Sequence, residues 1–121
     1  MKTSISVVLC TFNNSNSLAL ALKELADQKV PVDASVEIII VDNNSPDNTA
    51  AVVAPFLNHP HIRFSYVFEG QQGLSFARNS GVFKASGEYI LFTDDDAAIP
   101  SDWIAEYIHQ IIVVPCLVGT L

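Results

Sequence analysis

Three consecutive carboxylates, Asp94, Asp95 and Asp96, follow an apolar run that ends at Thr93. Acids this close together at the end of a buried strand repel one another, and burial strips part of their hydration. A bound cation would relieve the repulsion. Hard ions such as Mg²⁺ and Mn²⁺ suit oxygen ligands, often with substrate phosphates completing the shell. A solvated acidic turn after a strand explains the triplet equally well, so the rest of the chain must separate the two interpretations.

Two further polar groups stand at the ends of apolar runs. Thr11 ends the run at residues 5–11, and Asp42 follows the run at residues 36–41. Both runs are nearly continuous and rich in β-branched residues, which is typical of strands buried on both faces. Parallel strands present their carboxyl ends at one edge of a sheet, where ligands bind in such folds. The three polar groups are therefore predicted to share one rim.

Strand-like and helix-like segments alternate along the chain. Strands are predicted at residues 5–11, 36–41, 62–68 and 88–93, and helices at residues 15–28, from Ser45-Pro46-Asp47 to residues 58–60, at residues 74–85 closed by Gly87, and from Ser101 onward. Residues 113–119 indicate the start of a further strand. This alternation predicts an α/β, Rossmann-like fold with a mainly parallel sheet flanked by helices.

Length and composition limit the possibilities. The 121 residues are predicted to form one domain, half of the residues are hydrophobic, and the net charge is −7. This charge argues against a nucleic-acid partner but allows a nucleotide ligand, because a metal ion can supply positive charge. The two cysteines, Cys10 and Cys116, lack CxxC spacing, which favours a reducing, cytoplasmic setting. We find neither a signal peptide nor a stretch that could span a bilayer.

Several enzyme classes are disfavoured by the residue types present after the first strand and elsewhere in the chain. The Thr11-Phe12-Asn13 turn has no glycine, so a dinucleotide dehydrogenase is not supported, and the GxxxxGK[ST] pattern of P-loop NTPases is absent. The three histidines do not form a metal signature. Ser75 and Ser80 have no histidine and aspartate partners by motif, so nucleophilic serine catalysis has no support.

Four segments of the chain together resemble the family 2 glycosyltransferases with the GT-A fold. They are SVVLCTFN at 6–13, IIVDNNS at 39–45, GLSFARNSG at 73–81 and GEYILFTDDD at 87–96. Their order and spacing also match, and the likeness covers residues 4–103 approximately. The resemblance implies a GT-A nucleotide-diphospho-sugar-binding domain. The implied activity is inverting, metal-dependent transfer of a sugar from a nucleoside diphosphate donor, a UDP-sugar in particular, to an acceptor hydroxyl.

The resemblance also implies roles for individual residues in donor binding. Asp42 is similar to the family's acid that accepts a hydrogen bond from the nucleotide base, and Thr11 and Phe12 lie where the family places that base. Arg78 falls in the segment near the nucleotide, and its rigid donor fork suits an anion or a base edge. Its apolar neighbours in the chain disfavour an exposed position and favour an arginine that points inward. Two alternatives stay open: Asp42 could serve the following helix start, and Phe12 could be a core residue.

The acidic triplet matches the family's DXD motif. The resemblance implies that Asp96 is a ligand of Mn²⁺ or Mg²⁺ and that Asp94 contacts the metal or the ribose. Asp95 either assists donor binding or faces solvent. Asp102 and Glu106 are assigned to the first turns of the last helix, where acids interact favourably with the helix dipole.

In the family, the acceptor half and the catalytic base follow the DXD region. We therefore expect residues 1–121 to form one partial domain, truncated from a longer transferase whose general base lies beyond Leu121. The acceptor could be a glycan, a lipid-linked sugar or a protein. A nucleotide-sugar-binding module without turnover is the alternative. Apolar surface left uncovered would favour a homo-oligomer, and the expected location is cytoplasmic, either free or peripheral at the inner face of the membrane.

Overall fold

A computed structural model describes residues 2–113 and 119–120. Strands and helices alternate as the sequence predicts. They are β1 (Thr3–Thr11), α1 (Ser15–Ala26), β2 (Ala34–Asp42), α2 (Thr49–Val53) with a 3₁₀ helix directly after it (Ala54–Asn58), β3 (Arg63–Phe68), α3 (Leu74–Lys84), β4 (Tyr89–Asp94), α4 (Trp103–Val113) and the two-residue β5 (Gly119–Thr120).

The strands form one parallel sheet in the order β3-β2-β1-β4-β5. The register places Thr11 opposite Asp42, and Cys10 opposite Asp94. On the far side of β2, Asp42 lies opposite Phe68. The polar groups that follow β1, β2 and β4 therefore stand along one rim of the sheet, which confirms the predicted convergence.

Helices cover both faces of the sheet, and each face has its own core. The larger core joins α1 and α4 to one face; its fully buried side chains include Leu9, Leu22, Leu25, Ile40 and Ile104. The smaller core lies under α3 and is built from Val8, Ile39, Val41 and Ala77. Alternate residues of β1 and β2 point to opposite faces, so a strand buried on both sides must be nearly continuously apolar.

Gly81 allows α3 to pack closely on the sheet. A Cβ atom at this position would lie 2.4 Å from Cγ1 of Val8 and 3.2 Å from Cγ2 of Val41. Only glycine fits there without moving packed side chains. The same helix carries Arg78, so the close packing at Gly81 fixes the backbone that bears this arginine.

The helix predicted from Ser45-Pro46-Asp47 begins later than expected. The α-helix starts only at Thr49, runs for five residues and continues as a 3₁₀ helix to Asn58. The local signal was misleading because Ser45 accepts a hydrogen bond from the Asn13 backbone N–H at 3.0 Å. That contact draws Ser45 toward the neighbouring loop instead of the helix end.

Other boundaries differ by a few residues. Helix α3 ends at Lys84, so Gly87 belongs to the loop before β4, and α4 begins at Trp103 after a turn at Ser101. The predicted strand at 113–119 falls mostly on residues 114–118, which lie outside the described part of the chain; Gly119–Thr120 pairs with β4. Within residues 2–113 and 119–120, no helix combines the length and apolar character needed to cross a bilayer.

A buried carboxylate ties the opposite end of the sheet together. Glu37 of β2 is 7% exposed and accepts hydrogen bonds from the Ser6 hydroxyl at 2.5 Å and the Arg63 guanidinium at 2.8 Å. The backbone N–H and hydroxyl of Ser86 each donate to it at 2.7 Å. Burial alone would raise the pKa of Glu37, but these donors outweigh it and lower the pKa to about 2.

Candidate functional site

The acidic triplet is a turn at the end of β4 in which the three carboxylates have different surroundings. Asp95 is half-buried; it accepts hydrogen bonds from the Thr11 hydroxyl at 2.8 Å and from the Asn14 side-chain amide at 3.0 Å. Asp94 and Asp96 are exposed, and neither carboxylate has a hydrogen-bond partner within the described residues. The middle acid therefore attaches the turn to β1, and the outer two remain open to a ligand.

The two outer acids could supply only part of the coordination shell of a divalent cation. Among residues 2–113 and 119–120, no three His, Cys, Asp or Glu side chains are grouped so as to hold a metal. Magnesium-type ions are commonly held by one or two carboxylates together with substrate phosphates. Two exposed carboxylates, Asp94 and Asp96, on one turn fit that incomplete protein shell, with a diphosphate supplying further oxygens.

Asp42 is a buried carboxylate at the end of β2. It is 4% exposed; Oδ1 accepts the backbone N–H of Ser45 at 2.9 Å, and Oδ2 accepts the Tyr66 hydroxyl at 2.6 Å. Burial, followed by the Asp42 hydrogen bond and charge, raises the pKa of Tyr66 to about 12. The tyrosine therefore stays protonated and remains a donor throughout the neutral range. Sequence reasoning placed Tyr66 only in a strand, because nothing in an alternating strand pattern reveals its partner.

Asn43 organises the loop that follows β3. Its side-chain amide donates to the carbonyl oxygens of Glu69 at 3.1 Å and Gln71 at 2.6 Å. Its Oδ1 accepts the backbone N–H of Gly73 at 2.9 Å. The side chain is buried, so a loss of these bonds would leave polar groups unpaired. The sequence analysis assigned Asn43 no role; the available signal was a second polar residue directly after a buried strand.

Phe12 lines a cleft between the end of β1 and the start of α3. The cleft has a volume of about 280 Å³ and is lined by Cys10, Thr11, Phe12, Asn43, Gln72, Gly73, Leu74 and Ala77. Phe12 is 47% exposed, so the alternative that it is a core residue is wrong. An exposed aromatic face beside a small apolar cleft is suited to stacking against a planar ring.

Arg78 is exposed on α3, contrary to the expectation that its apolar neighbours would turn it inward. Its guanidinium carbon lies 5.6 Å from the centre of the Phe92 ring, within cation–π range. It forms no ion pair with Asp42 or the acidic turn within the described residues. Burial raises the pKa of the Cys10 thiol to about 11; the charge of Arg78 opposes this rise, and those of Asp94 and Asp95 add to it. The charge of the arginine and those of the acids thus act on the same thiol in opposite directions.

The loops after β1 and β2 are held against each other. Besides the bond from Asn13 to Ser45, the Ser15 backbone N–H donates to Asp47 at 3.2 Å. The Thr49 hydroxyl also donates to Asp47, and this hydrogen bond is the largest cause of the lowered pKa of the Asp47 carboxyl. Asp47 therefore serves the starts of both helices, and Asp42 serves Ser45. The loops form one continuous rim beside the acidic turn.

A parallel α/β sheet with polar groups at the carboxyl ends of its strands is the arrangement of a ligand-binding α/β domain. The family model for glycosyl transferase family 2 matches residues 6–114. The chain therefore belongs to glycosyl transferase family 2, and it is a glycosyltransferase-like protein with the GT-A fold.

Solved structures and curated relatives agree with this membership. The chain is similar to the mannosyltransferase PcManGT from Pyrobaculum calidifontis in complex with GDP-Man and Mn²⁺, with 27% identity, a TM-score of 0.83 and coverage of 92% of this chain and 33% of that chain. It is also similar to S. aureus TarS 1-349 in complex with UDP-GlcNAc, with 29% identity, a TM-score of 0.74 and coverage of 93% and 32%. The succinoglycan biosynthesis protein ExoM of Rhizobium meliloti is 28% identical over 105 residues, 87% of this chain and 34% of ExoM.

The chain spans about a third of the length of each of these three relatives. The similarity thus covers nearly all of this chain but leaves most of each relative without a counterpart in it. The ligands and reactions of those whole proteins are therefore a basis for proposals about this chain.

Proposed function

We propose that this protein is the donor-binding part of an inverting, metal-dependent glycosyltransferase that uses a nucleoside diphosphate sugar, with UDP as the nucleotide. The observation that carries the proposal is the shared rim. A buried acceptor, Asp42, an exposed aromatic, Phe12, and the open carboxylates of Asp94 and Asp96 follow the ends of three strands that are neighbours in one sheet. Relatives described with UDP-GlcNAc or with GDP-Man and Mn²⁺ support the ligand class.

Asp42, Thr11 and Phe12 form the nucleoside end of the proposed site. A carboxylate accepts hydrogen bonds only, so Asp42 suits the ring N–H of uracil. Phe12 supplies a stacking face for the base, and the cleft beside it is lined in part by the loop that Asn43 holds. Thr11 contributes through Asp95, because its hydroxyl is bonded to that carboxylate.

The acidic turn and Arg78 form the diphosphate end. Asp96 and Asp94 would hold Mn²⁺ or Mg²⁺ together with the donor phosphates, and the bound ion would supply Lewis-acid stabilisation of the leaving diphosphate. Asp95 keeps the turn in place against β1. Arg78 is exposed. Its charge acts on the Cys10 thiol, as do the charges of Asp94 and Asp95, so the arginine and the acidic turn belong to the same region. There the guanidinium would offset part of the negative charge of the donor.

The proposed reaction is a direct displacement at the anomeric carbon of the donor. The acceptor hydroxyl oxygen forms the new bond as the bond to the diphosphate breaks, and the hydroxyl proton passes to a general base. We assign that base to none of the described residues, because the acids at this rim are engaged in donor binding or in holding the loops.

A nucleotide-sugar-binding module without turnover is the second candidate. One observation favours it: the described rim offers donor contacts, and none of the described residues is assigned as the general base. The two candidates share every proposed donor contact and differ only in whether product forms.

Calorimetric titration with UDP, with and without Mn²⁺, tests the donor site. We expect Mn²⁺ to tighten UDP binding and Asp96→Ala to reduce the affinity to its metal-free value. Asp33→Ala is the matched control, because Asp33 is an exposed acid just before β2 at the other end of the sheet. If Mn²⁺ leaves the UDP affinity of the wild-type protein unchanged, the proposed metal-assisted site is wrong. A transfer and donor-hydrolysis assay then separates an enzyme from a binding module.

A further inference from the structure

The bond between Tyr66 and Asp42 joins neighbouring strands at the rim. Tyr66 lies on β3 opposite Ile40, and its hydroxyl reaches along the strand direction to Oδ2 of Asp42 at 2.6 Å. The tyrosine ring is partly buried and packs against the larger core. Among the described residues, the hydroxyl bonds only to Asp42. The ring thus has a packing role, and the hydroxyl has a separate role that concerns one carboxylate.

The two donors to Asp42 act on different oxygens. Ser45 supplies a backbone N–H to Oδ1, and Tyr66 supplies its hydroxyl to Oδ2. A carboxylate held at both oxygens cannot rotate freely, and hydrogen bonds to its charged form favour that form. Asp42 is therefore presented in one orientation and as an acceptor only.

An acceptor held in this way discriminates between nucleobases. Uracil, thymine and guanine present a ring N–H on their Watson–Crick edge, whereas cytosine and adenine present a ring nitrogen lone pair there. A ring nitrogen lone pair facing a fixed carboxylate is repelled by its negative charge, and neither group can supply a proton for a hydrogen bond. The discrimination requires that the carboxylate cannot turn away, and the Tyr66 hydroxyl prevents that rotation.

We propose that Tyr66 is a positioning residue of the donor site, whose hydroxyl orients Asp42 and so makes the site prefer nucleotides with a ring N–H base, such as UDP, over CDP. This inference rests on the proposed function, because it requires Asp42 to face the donor base. It extends that function by assigning base selection to a residue of β3 that does not itself touch the base.

The test is calorimetric titration of wild type and Tyr66→Phe with UDP and with CDP, each in the presence of Mn²⁺. Loss of a hydrogen bond to a charged group predicts about tenfold weaker UDP binding in Tyr66→Phe, with CDP affinity changed less than about twofold. Asp42→Asn should reduce the UDP preference as well, and the double variant should match Asp42→Asn, since Tyr66 acts through Asp42. Tyr89→Phe, at the start of β4, is the control and should change neither affinity.

Each alternative outcome has a distinct meaning. Equal weakening of UDP and CDP in Tyr66→Phe, or additive losses in the double variant, would show a purely structural tyrosine and overturn the proposal. UDP binding that survives Asp42→Asn undiminished would overturn the base contact and the role of Tyr66 while leaving the donor site intact. Failure of wild type to bind UDP would end both this inference and the proposed function.

A second measurement covers the case in which Tyr66→Phe does not fold. The chain has three tyrosines, so labelling the ring carbon that bears the hydroxyl gives three NMR signals. Tyr89→Phe and Tyr107→Phe assign two of these by removal, and the third belongs to Tyr66. Saturating UDP should shift the Tyr66 signal, and CDP should leave it in place. An unmoved Tyr66 signal with bound UDP would contradict the proposal.

Discussion

Glu37→Gln is expected to destabilise the protein by about 3 kcal/mol at pH 7. Glutamine resembles the protonated acid: it is neutral, and its NH₂ group would face donors from Ser6, Ser86 or Arg63. The pKa of Glu37 is lowered from 4.5 to about 2, and each pH unit of that difference corresponds to about 1.4 kcal/mol. The full pKa difference between the unfolded and the folded protein therefore means that ionised Glu37 stabilises the native state by about 3 kcal/mol relative to a neutral side chain.

The sign of the pH dependence is set by the lowered pKa. Above pH 4.5 the carboxyl is ionised in both the unfolded and the folded protein, so its full contribution to stability is present. As the pH falls from 4.5 toward 2, the unfolded chain binds the proton and the folded protein does not, and the contribution is lost progressively. The difference between wild type and Glu37→Gln should therefore shrink to about 1 kcal/mol at pH 3.

Urea unfolding followed by circular dichroism between pH 7 and pH 3 measures both quantities. Glu88→Gln is the matched control, since Glu88 is exposed and, within the described part of the chain, its carboxylate accepts a single hydrogen bond, from Ser4 at 3.4 Å. Its effect should be small and nearly independent of pH. A Glu37→Gln protein as stable as this control at pH 7, or one whose deficit does not shrink in acid, would refute the reasoning about Glu37.

Three further outcomes are expected from the packing and the rim. Gly81→Ala should lower the free energy of unfolding by about 2 kcal/mol, because its Cβ would lie 2.4 Å from a methyl carbon of β1; Gly70→Ala, whose nearest neighbour lies at 3.7 Å, should have little effect in the same urea titration. Thr11→Val removes the hydroxyl donor to Asp95 and should destabilise the protein by about 2 kcal/mol in urea unfolding. It should also weaken Mn²⁺-dependent UDP binding, which is measured separately by calorimetry. The pKa of the Cys10 thiol is raised to about 11, so less thiolate is present at pH 8 and Cys10 should react with iodoacetamide about a hundredfold more slowly than an ordinary thiol. The test uses a variant whose other cysteine is serine. Equal rates would contradict the burial argument.

Self-association stays a prediction, and the structure gives it a location to examine. Phe83 is 94% exposed and, together with Phe76, helps to line a groove of about 370 Å³. Exposed aromatic side chains of this size favour association with another apolar surface. Sedimentation of the wild-type protein and of Phe83→Ser would show whether this surface mediates it.

Sequence pattern was sufficient for the sheet and for the position of the rim. Strands β1, β2 and β4 were predicted within two residues of their observed ends, because a strand buried on both faces must be nearly continuously apolar. Parallel pairing then requires Thr11, Asp42 and Asp94 to end at one edge. That consequence depends on strand direction alone and needs no knowledge of side-chain contacts.

Helix-start residues in the sequence misplaced the start of α2, because their side chains also form hydrogen bonds with another segment of the chain. The Ser45-Pro46-Asp47 segment has the residues of a helix start, yet the Ser45 hydroxyl accepts the backbone N–H of Asn13. The Asp47 carboxylate accepts the backbone N–H of Ser15 as well as that of Thr49. Glu37 was likewise passed over, since an acid within a buried strand is explained only by donors from three other segments. Helix capping energies of about 1 kcal/mol are easily exceeded by such combined contacts.

By itself, the amino-acid sequence determined which chemical groups stand at the rim: carboxylates, a hydroxyl and an aromatic ring at the ends of buried strands. Tertiary structure alone decided how these groups divide their roles. Asp95 is bonded while Asp94 and Asp96 are open, because Thr11 approaches from 84 positions away. Asp42 is oriented by Tyr66, 24 positions later in the chain. Such partnerships depend on which side chains the folded sheet brings within hydrogen-bond distance, and no local pattern encodes that distance.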